Sequence, residues 1–293
     1  MTRASPLLFP LFAMALVVSW SSGFVGIRYA SEQASVFVVL FWRTLAAGVI
    51  LLPFALLVGP AIPRRALLQQ VGFGVFGNFL YLGGFAYAIG QRVPTGLVAL
   101  TADLVPLAVA ALSLPLLGQP LSARQWLGTG IGVLGVALVS ADSLSLGHAS
   151  PLAYALPVLA MLSFAAAIVM QKKLGAVNMP VHQSIAIQNL TAVPLFALCA
   201  LFDGGLAPPA DMRFAFGIAW LVLFATFACY GVYYICLRLY PPARITSVIY
   251  LSPPVTMLWA AAMFGEPLTA MMLAGLAVTF IGVSLAARGS SPG

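Results

Sequence analysis

The chain has 293 residues, 62% of them hydrophobic and 6% charged, with a formal net charge of +7. Thirteen Lys and Arg with six Asp and Glu cannot coat a soluble fold of this length, so the outer surface must face hydrocarbon. The basic residues stand singly or in pairs, with no run that could follow a phosphate backbone, which argues against a nucleic-acid partner and for a lipid bilayer.

Charges divide the chain into ten apolar stretches, at 4–27, 33–63, 66–91, 93–123, 125–141, 143–171, 174–202, 214–237, 245–265 and 267–287. Crossing a hydrocarbon core of roughly 30 Å as a helix takes about 17–25 residues, which each stretch supplies. Helix is required because lipid offers no partner to backbone amides and carbonyls, and the alternation of a transmembrane strand is missing. The predicted fold class is an all-α integral membrane protein with ten transmembrane helices. The first stretch follows one basic residue, Arg3, but exceeds the apolar region of a secretory signal and is read as a span. Only the second and fourth stretches hold a charge, Arg43 and Asp103 respectively.

A cytoplasmic amino terminus puts Arg3, Arg64, Arg65, Arg124, Lys172, Lys173, Arg238, Arg244 and Arg288 inside, against Arg28, Arg92 and Arg213 outside. This positive-inside bias predicts that both termini are cytoplasmic.

The chain also repeats itself. A shift of 147 residues places Gly84 on Gly231, Tyr87 on Tyr234, Pro94 on Pro241, Pro106 on Pro253, Gly118 on Gly265, Gly128 on Gly275 and Gly135 on Gly282. A slightly smaller shift places Ser19 and Trp20 on Ser163 and Phe164. The domains predicted are thus two five-helix repeats, 1–147 and 148–293, forming one transmembrane unit. Five is odd, so the second copy enters from the opposite face, and inverted repeats are the usual basis of alternating access around a midplane site.

Candidate site residues follow from polar and aromatic side chains at helical spacing. Arg43 and Asp103 lie at similar depth and are predicted to form an intramembrane charge pair; the competing reading gives Arg43 a substrate carboxylate or makes Asp103 a titrating group. Asn78, Tyr81 and Phe85 share one face of the third helix, and Tyr230 and Tyr234 share one of the eighth. Tyrosine offers an aromatic wall with a hydroxyl, although ordinary interhelical packing explains such faces as well. Trp20 and Phe164 occupy equivalent positions able to sandwich a side chain. Tyr250 is the repeat counterpart of Asp103. Pro106 and Pro253 remove a backbone hydrogen bond in mid-span and are predicted hinges, or static kinks. Ser184, Gln188 and Thr191 share a face suited to a hydrogen bond between helices, and Gly128, Gly132, Gly275 and Thr279 suit close helix approach. Cys199, Cys229 and Cys236 lie in apolar runs as small hydrophobes.

No HExxH, GxSxG or P-loop pattern occurs, and no nucleophile with an adjacent base is evident, so an intramembrane enzyme is the weaker class. No cofactor and no metal are predicted; the partners are a small-molecule substrate and the bilayer, with monomer and oligomer both compatible. The span count, the repeat and the lack of soluble mass point to a secondary carrier driven by a gradient or by facilitated diffusion.

The motif Asp-Leu-Val-Pro at 103–106 followed by Gly-Gln-Pro-Leu at 118–121 returns as Tyr-Leu-Ser-Pro at 250–253 and Gly-Glu-Pro-Leu at 265–268. This resembles the signature of the drug/metabolite transporter (DMT) superfamily, EamA branch, over nearly the whole chain, with Gln119 departing from the commoner glutamate. Ser-Trp-Ser-Ser-Gly at 19–23 and Phe-Trp-Arg at 41–43 are similar to YddG-type amino-acid exporters. The resemblance implies a basket with the first, third, fourth, sixth, eighth and ninth helices around a central cavity. It also implies a bacterial inner (plasma) membrane location and export of neutral and aromatic amino acids. Export of lipophilic cations, sugars or nucleotides is the alternative within the superfamily. The cavity expected is lined by Trp20, Asn78, Tyr81, Asp103, Phe164, Tyr230, Tyr234 and Tyr250.

Overall fold

The computed structural model describes residues 8–145, 149–175 and 179–288, all helical or connecting, with no strand among them. Arg3 and the boundary expected between residues 147 and 148 lie outside the described residues. The helices are α1 (Leu8–Ala30), α2 (Val36–Leu57), α3 (Arg64–Gly90), α4 (Thr95–Ala102 and Val105–Leu117) and α5 (Ala123–Ser145). They continue with α6 (Pro151–Leu174), α7 (Val181–Phe202), α8 (Met212–Leu239), α9 (Pro242–Ile249 and Ser252–Phe264) and α10 (Ala270–Arg288). Among the described residues nine helices are long and apolar enough to cross a membrane, and α4 makes ten if its two pieces, bent by 41°, form one span. Side chains such as Leu57, Phe202 and Met212 point outward, as a lipid-facing surface requires.

The bends are encoded locally. The sequence predicts kinks at Pro106 and Pro253 themselves, yet the helix breaks just before them, at Asp103–Leu104 and Tyr250–Leu251. A proline withholds the amide that would bond four residues back, so it fits best in the first turn of a new helix. Both stand there, and the preceding turn tightens in the same way in both halves. Leu104 N donates to Thr101 O at 3.1 Å and Leu251 N to Val248 O at 3.0 Å.

Gly118 and Gly265 end α4 and α9 with φ of +66° each, the left-handed conformation that only glycine adopts freely. The doubled Gly-Gln/Glu-Pro-Leu motif is therefore a pair of helix stops.

Successive helices run in opposite directions, and contacts between connections define two ends of the bundle. At one end Trp42 Nε1 donates to Leu206 O at 2.9 Å, Thr269 Oγ1 donates to Asp142 Oδ2 at 2.5 Å, and Ser35 bonds Asp203. At the other, Gln69 Nε2 donates to Gly175 O at 3.3 Å, Lys172 Nζ to Gln119 Oε1 at 2.9 Å, and His182 Nε2 lies 2.7 Å from Val58 O.

The closest helix crossing joins α5 to α10. A methyl group on Gly128 would lie 2.6 Å from Gly282 O, and one on Gly282 would lie 2.6 Å from Gly128 O. Gly135 and Gly275 approach in the same reciprocal way, at 2.6 and 2.7 Å. Between them Thr279 Oγ1 sits 3.5 Å from Gly132 O, and these two residues are 147 apart. Small residues let the backbones touch, which is how helices associate where no hydrophobic force separates lipid from protein. The expected bond from α7 also forms, Gln188 Nε2 donating to Gln70 Oε1 of α3 at 2.7 Å.

Candidate substrate cavity

A cavity of mixed polar and aromatic lining lies among α1, α2, α3 and α8 and encloses about 710 Å³, its open mouth included. α1 contributes Trp20, Gly23, Phe24 and Ile27. α3 supplies Gly77, Asn78, Tyr81, Leu82 and Phe85, α8 supplies Ala225, Cys229 and Tyr230, and α2 supplies Arg43.

Two π-helical segments shape its walls, Gly74–Leu80 in α3 and Leu223–Ala228 in α8. A π turn widens the helix and shifts the side chains after it, and such turns gather at functional sites. In α8 the shift is visible at Thr226, whose Oγ1 donates to Leu221 O five residues back at 3.0 Å. In α3 the backbone at Gly74 approaches Thr191 of α7, where a Cβ would meet the threonine Cβ at 2.8 Å. The two segments nearly coincide under the 147-residue shift, so the halves deform alike.

Arg43 is buried beside this cavity. Its Nη2 donates to Thr226 Oγ1 at 3.4 Å, and its Nη1 has no hydrogen-bond partner. The pair with Asp103 does not form: no carboxylate lies within ion-pair distance of Arg43 among the described residues. Depth along two helices is readable from residue counts, but rotation about each axis is not. Arg43 turns from α2 toward α8, whereas Asp103, at the break in α4, turns toward α9 and α10. There Asp103 shares a separate recess of about 220 Å³ with Tyr250, Leu276 and Thr279.

Of the expected lining, Trp20, Asn78, Tyr81 and Tyr230 meet in the cavity, and Asp103, Phe164, Tyr234 and Tyr250 do not. Phe164 stands behind the wall, its ring stacked on Tyr81 with centroids 4.3 Å apart and planes at 22°. It does not sandwich anything against Trp20, whose ring instead leans on Tyr233 at 6.3 Å. Tyr234, one helical turn beyond Tyr230, is not among the lining residues; its ring packs edge-on against Tyr233 at 5.7 Å. The expected ring of helices changes accordingly: α2 enters through Arg43, while α4, α6 and α9 supply no lining residue. Phe24 and Cys229 join the lining without having been among the expected residues. Phe24 follows Trp20 by one helical turn, which is a usable signal; Cys229 is hidden in an apolar run. Among the described residues no three His, Cys, Asp or Glu side chains group as metal ligands.

One end of the bundle is tied by charge. Arg28 of α1 pairs with Glu32 at 2.9 Å and with Glu266, in the α9–α10 connection, at 3.7 Å. Glu266 also accepts from Thr95 N at 2.8 Å and Thr95 Oγ1 at 2.6 Å, capping the start of α4, and Arg92 approaches Glu32 at 3.8 Å.

Membrane-spanning helices around a cavity of this kind define a class, the multi-pass membrane transporter. The chain belongs to the EamA-like transporter family, which it matches twice, over residues 8–141 and 151–288. It is 28% identical over 287 residues to the inner membrane transporter YedA of Escherichia coli K12, covering 96% of this chain and 92% of that one. It is 25% identical over 286 residues to a probable amino-acid metabolite efflux pump of the same organism, covering 93% and 92%. The Protein PecM of Dickeya dadantii is 27% identical over 256 residues, covering 81% and 78%. A solved crystal structure at 16% identity superposes with a TM-score of 0.65 over 96% of this chain and 98% of that one, a likeness of fold.

Proposed function

We propose that this transporter works in a bacterial inner membrane and exports small metabolites, neutral and aromatic amino acids foremost. The halves 1–147 and 148–293 act as inverted repeats that open the cavity to one face and then the other. Both termini face the cytoplasm in this reading, which makes the end carrying Arg28 and Glu266 the outer one. The carrying observation is the cavity lining: Trp20, Phe24, Tyr81 and Phe85 offer an apolar, aromatic wall, and Arg43 and Asn78 offer polar anchors beside it. A relative described as an amino-acid metabolite efflux pump favours the same substrate class. Export of lipophilic cations fits less well, because no Asp or Glu lines the cavity to receive a positive charge.

The test is uptake by the purified full chain in liposomes, offered labelled amino acids, lipophilic cations and sugars in parallel. Accumulation of phenylalanine or leucine above protein-free vesicles is expected. Movement of cations alone would overturn the assignment.

A further inference from the structure

We propose that Arg43 is the carboxylate-binding residue of the cavity, and that the carboxylate rather than the amino group is what the site requires of its substrate. This rests on the reading that the cavity holds the transported molecule.

A guanidinium stays charged at any accessible pH, and its fork of donors matches a carboxylate with two parallel bonds. Arg43 is nonetheless sparsely satisfied. It makes one long bond, 3.4 Å to a neutral hydroxyl, and Nη1 is buried without a partner. A positive charge in a membrane interior is costly unless paired or hydrated, and an orphaned buried donor adds to that cost. Tyr230 and Cys229 line the cavity beside it, and both are neutral donors or weak acceptors. Asp103 lies in the other recess with Tyr250, within electrostatic range of Tyr81 but outside the cavity lining.

The cavity lining therefore carries one positive charge and no negative one. A bound monocarboxylate brings that sum to zero. An ammonium brings it to two, in a space with Asn78 and tyrosine hydroxyls as its acceptors. The site should accept an apolar side chain bearing a carboxylate whether or not an amino group is present, and should refuse the amine that lacks the carboxylate.

Three molecules of one skeleton decide this: phenylalanine, 3-phenylpropanoate and phenethylamine, each competing with labelled phenylalanine for the purified full chain in detergent. Phenylalanine and 3-phenylpropanoate should displace the label at concentrations within about tenfold of each other, and phenethylamine should be at least tenfold weaker. Arg43→Gln should weaken both carboxylates by roughly 10- to 100-fold, about 1.4–2.7 kcal/mol, with partial recovery in Arg43→Lys. If Arg43→Gln does not fold, the wild-type ranking decides by itself. Phenethylamine binding as tightly as phenylalanine, or Arg43→Gln binding phenylalanine within twofold of wild type, overturns the assignment while leaving amino-acid export standing. A wild-type protein that binds none of the three overturns both.

Discussion

Arg28 and Glu266 meet at 3.7 Å at one end of the bundle, and their counterparts in the other half, Lys172 and Gln119, meet at 2.9 Å at the opposite end. The two contacts occupy matching places but differ in chemistry. Glu266 is a carboxylate held by an arginine and by Thr95 N and Oγ1, whereas Gln119 is neutral. Thr95 maps onto Pro242, which has no amide hydrogen to offer. Of these two matching contacts, the one at the Arg28 end is thus the firmer fastening.

Replacing Glu266 by Gln should loosen that fastening. Charge-assisted hydrogen bonds to a half-buried carboxylate are worth about 1–2 kcal/mol more than neutral ones, so opening at this end should become roughly 5- to 30-fold more frequent. The measure is the labelling rate of a cysteine introduced at Ile27 by a membrane-impermeant thiol reagent, in a chain whose native cysteines are replaced. Gln119→Ala should change that rate far less; equal effects from the two would remove the asymmetry.

Asp103→Asn tests the separation of the two intramembrane charges. Breaking a buried ion pair by removing one partner costs about 3–5 kcal/mol. Because Arg43 and Asp103 are not paired, the variant should unfold in detergent at or above the wild-type temperature. A fall of many degrees would restore the pairing that residue spacing suggests.

Gly282→Ala should destabilise the α5–α10 crossing, since the added methyl would lie 2.6 Å from Gly128 O with backbone on the facing side. Overpacking of this kind costs about 1–3 kcal/mol. Gly130→Ala, on the open face of α5 with nothing within 4 Å, should be neutral or slightly stabilising through helix propensity. Matching melting temperatures for the two variants would mean that the crossing is looser than described.

Gly265→Ala and Gly118→Ala place a side chain at φ of +66° in otherwise open space. Each should lower stability by about 1 kcal/mol from backbone strain alone, read as a similar small drop in melting temperature for both.

Much of the architecture is legible in the amino-acid sequence. Span length and apolarity are properties of each stretch by itself, so the helices fall where the charges and prolines place them. The turn glycines are readable for the same reason: a left-handed helix stop is set by the few residues around it. At the cavity, Asn78, Tyr81 and Tyr230 are legible from helical spacing, and Trp20 from its place in the repeat. Phe164 differs from expectation in place and partner, standing behind Tyr81 outside the lining rather than opposite Trp20.

What the sequence determined was composition along each helix: how many spans, where they stop, and that the halves match at a shift of 147. Tertiary structure alone decided which way each helix turns. Two π turns, at Gly74–Leu80 in α3 where it meets α7 and at Leu223–Ala228 in α8 where it faces Arg43, set the angle at which the residues after them meet the cavity, and Tyr230 lines it while Tyr234, a turn further on, does not. The same freedom parts Arg43 from Asp103, because residue spacing sets height in the membrane while azimuth is set by contacts with neighbouring helices far away in the chain.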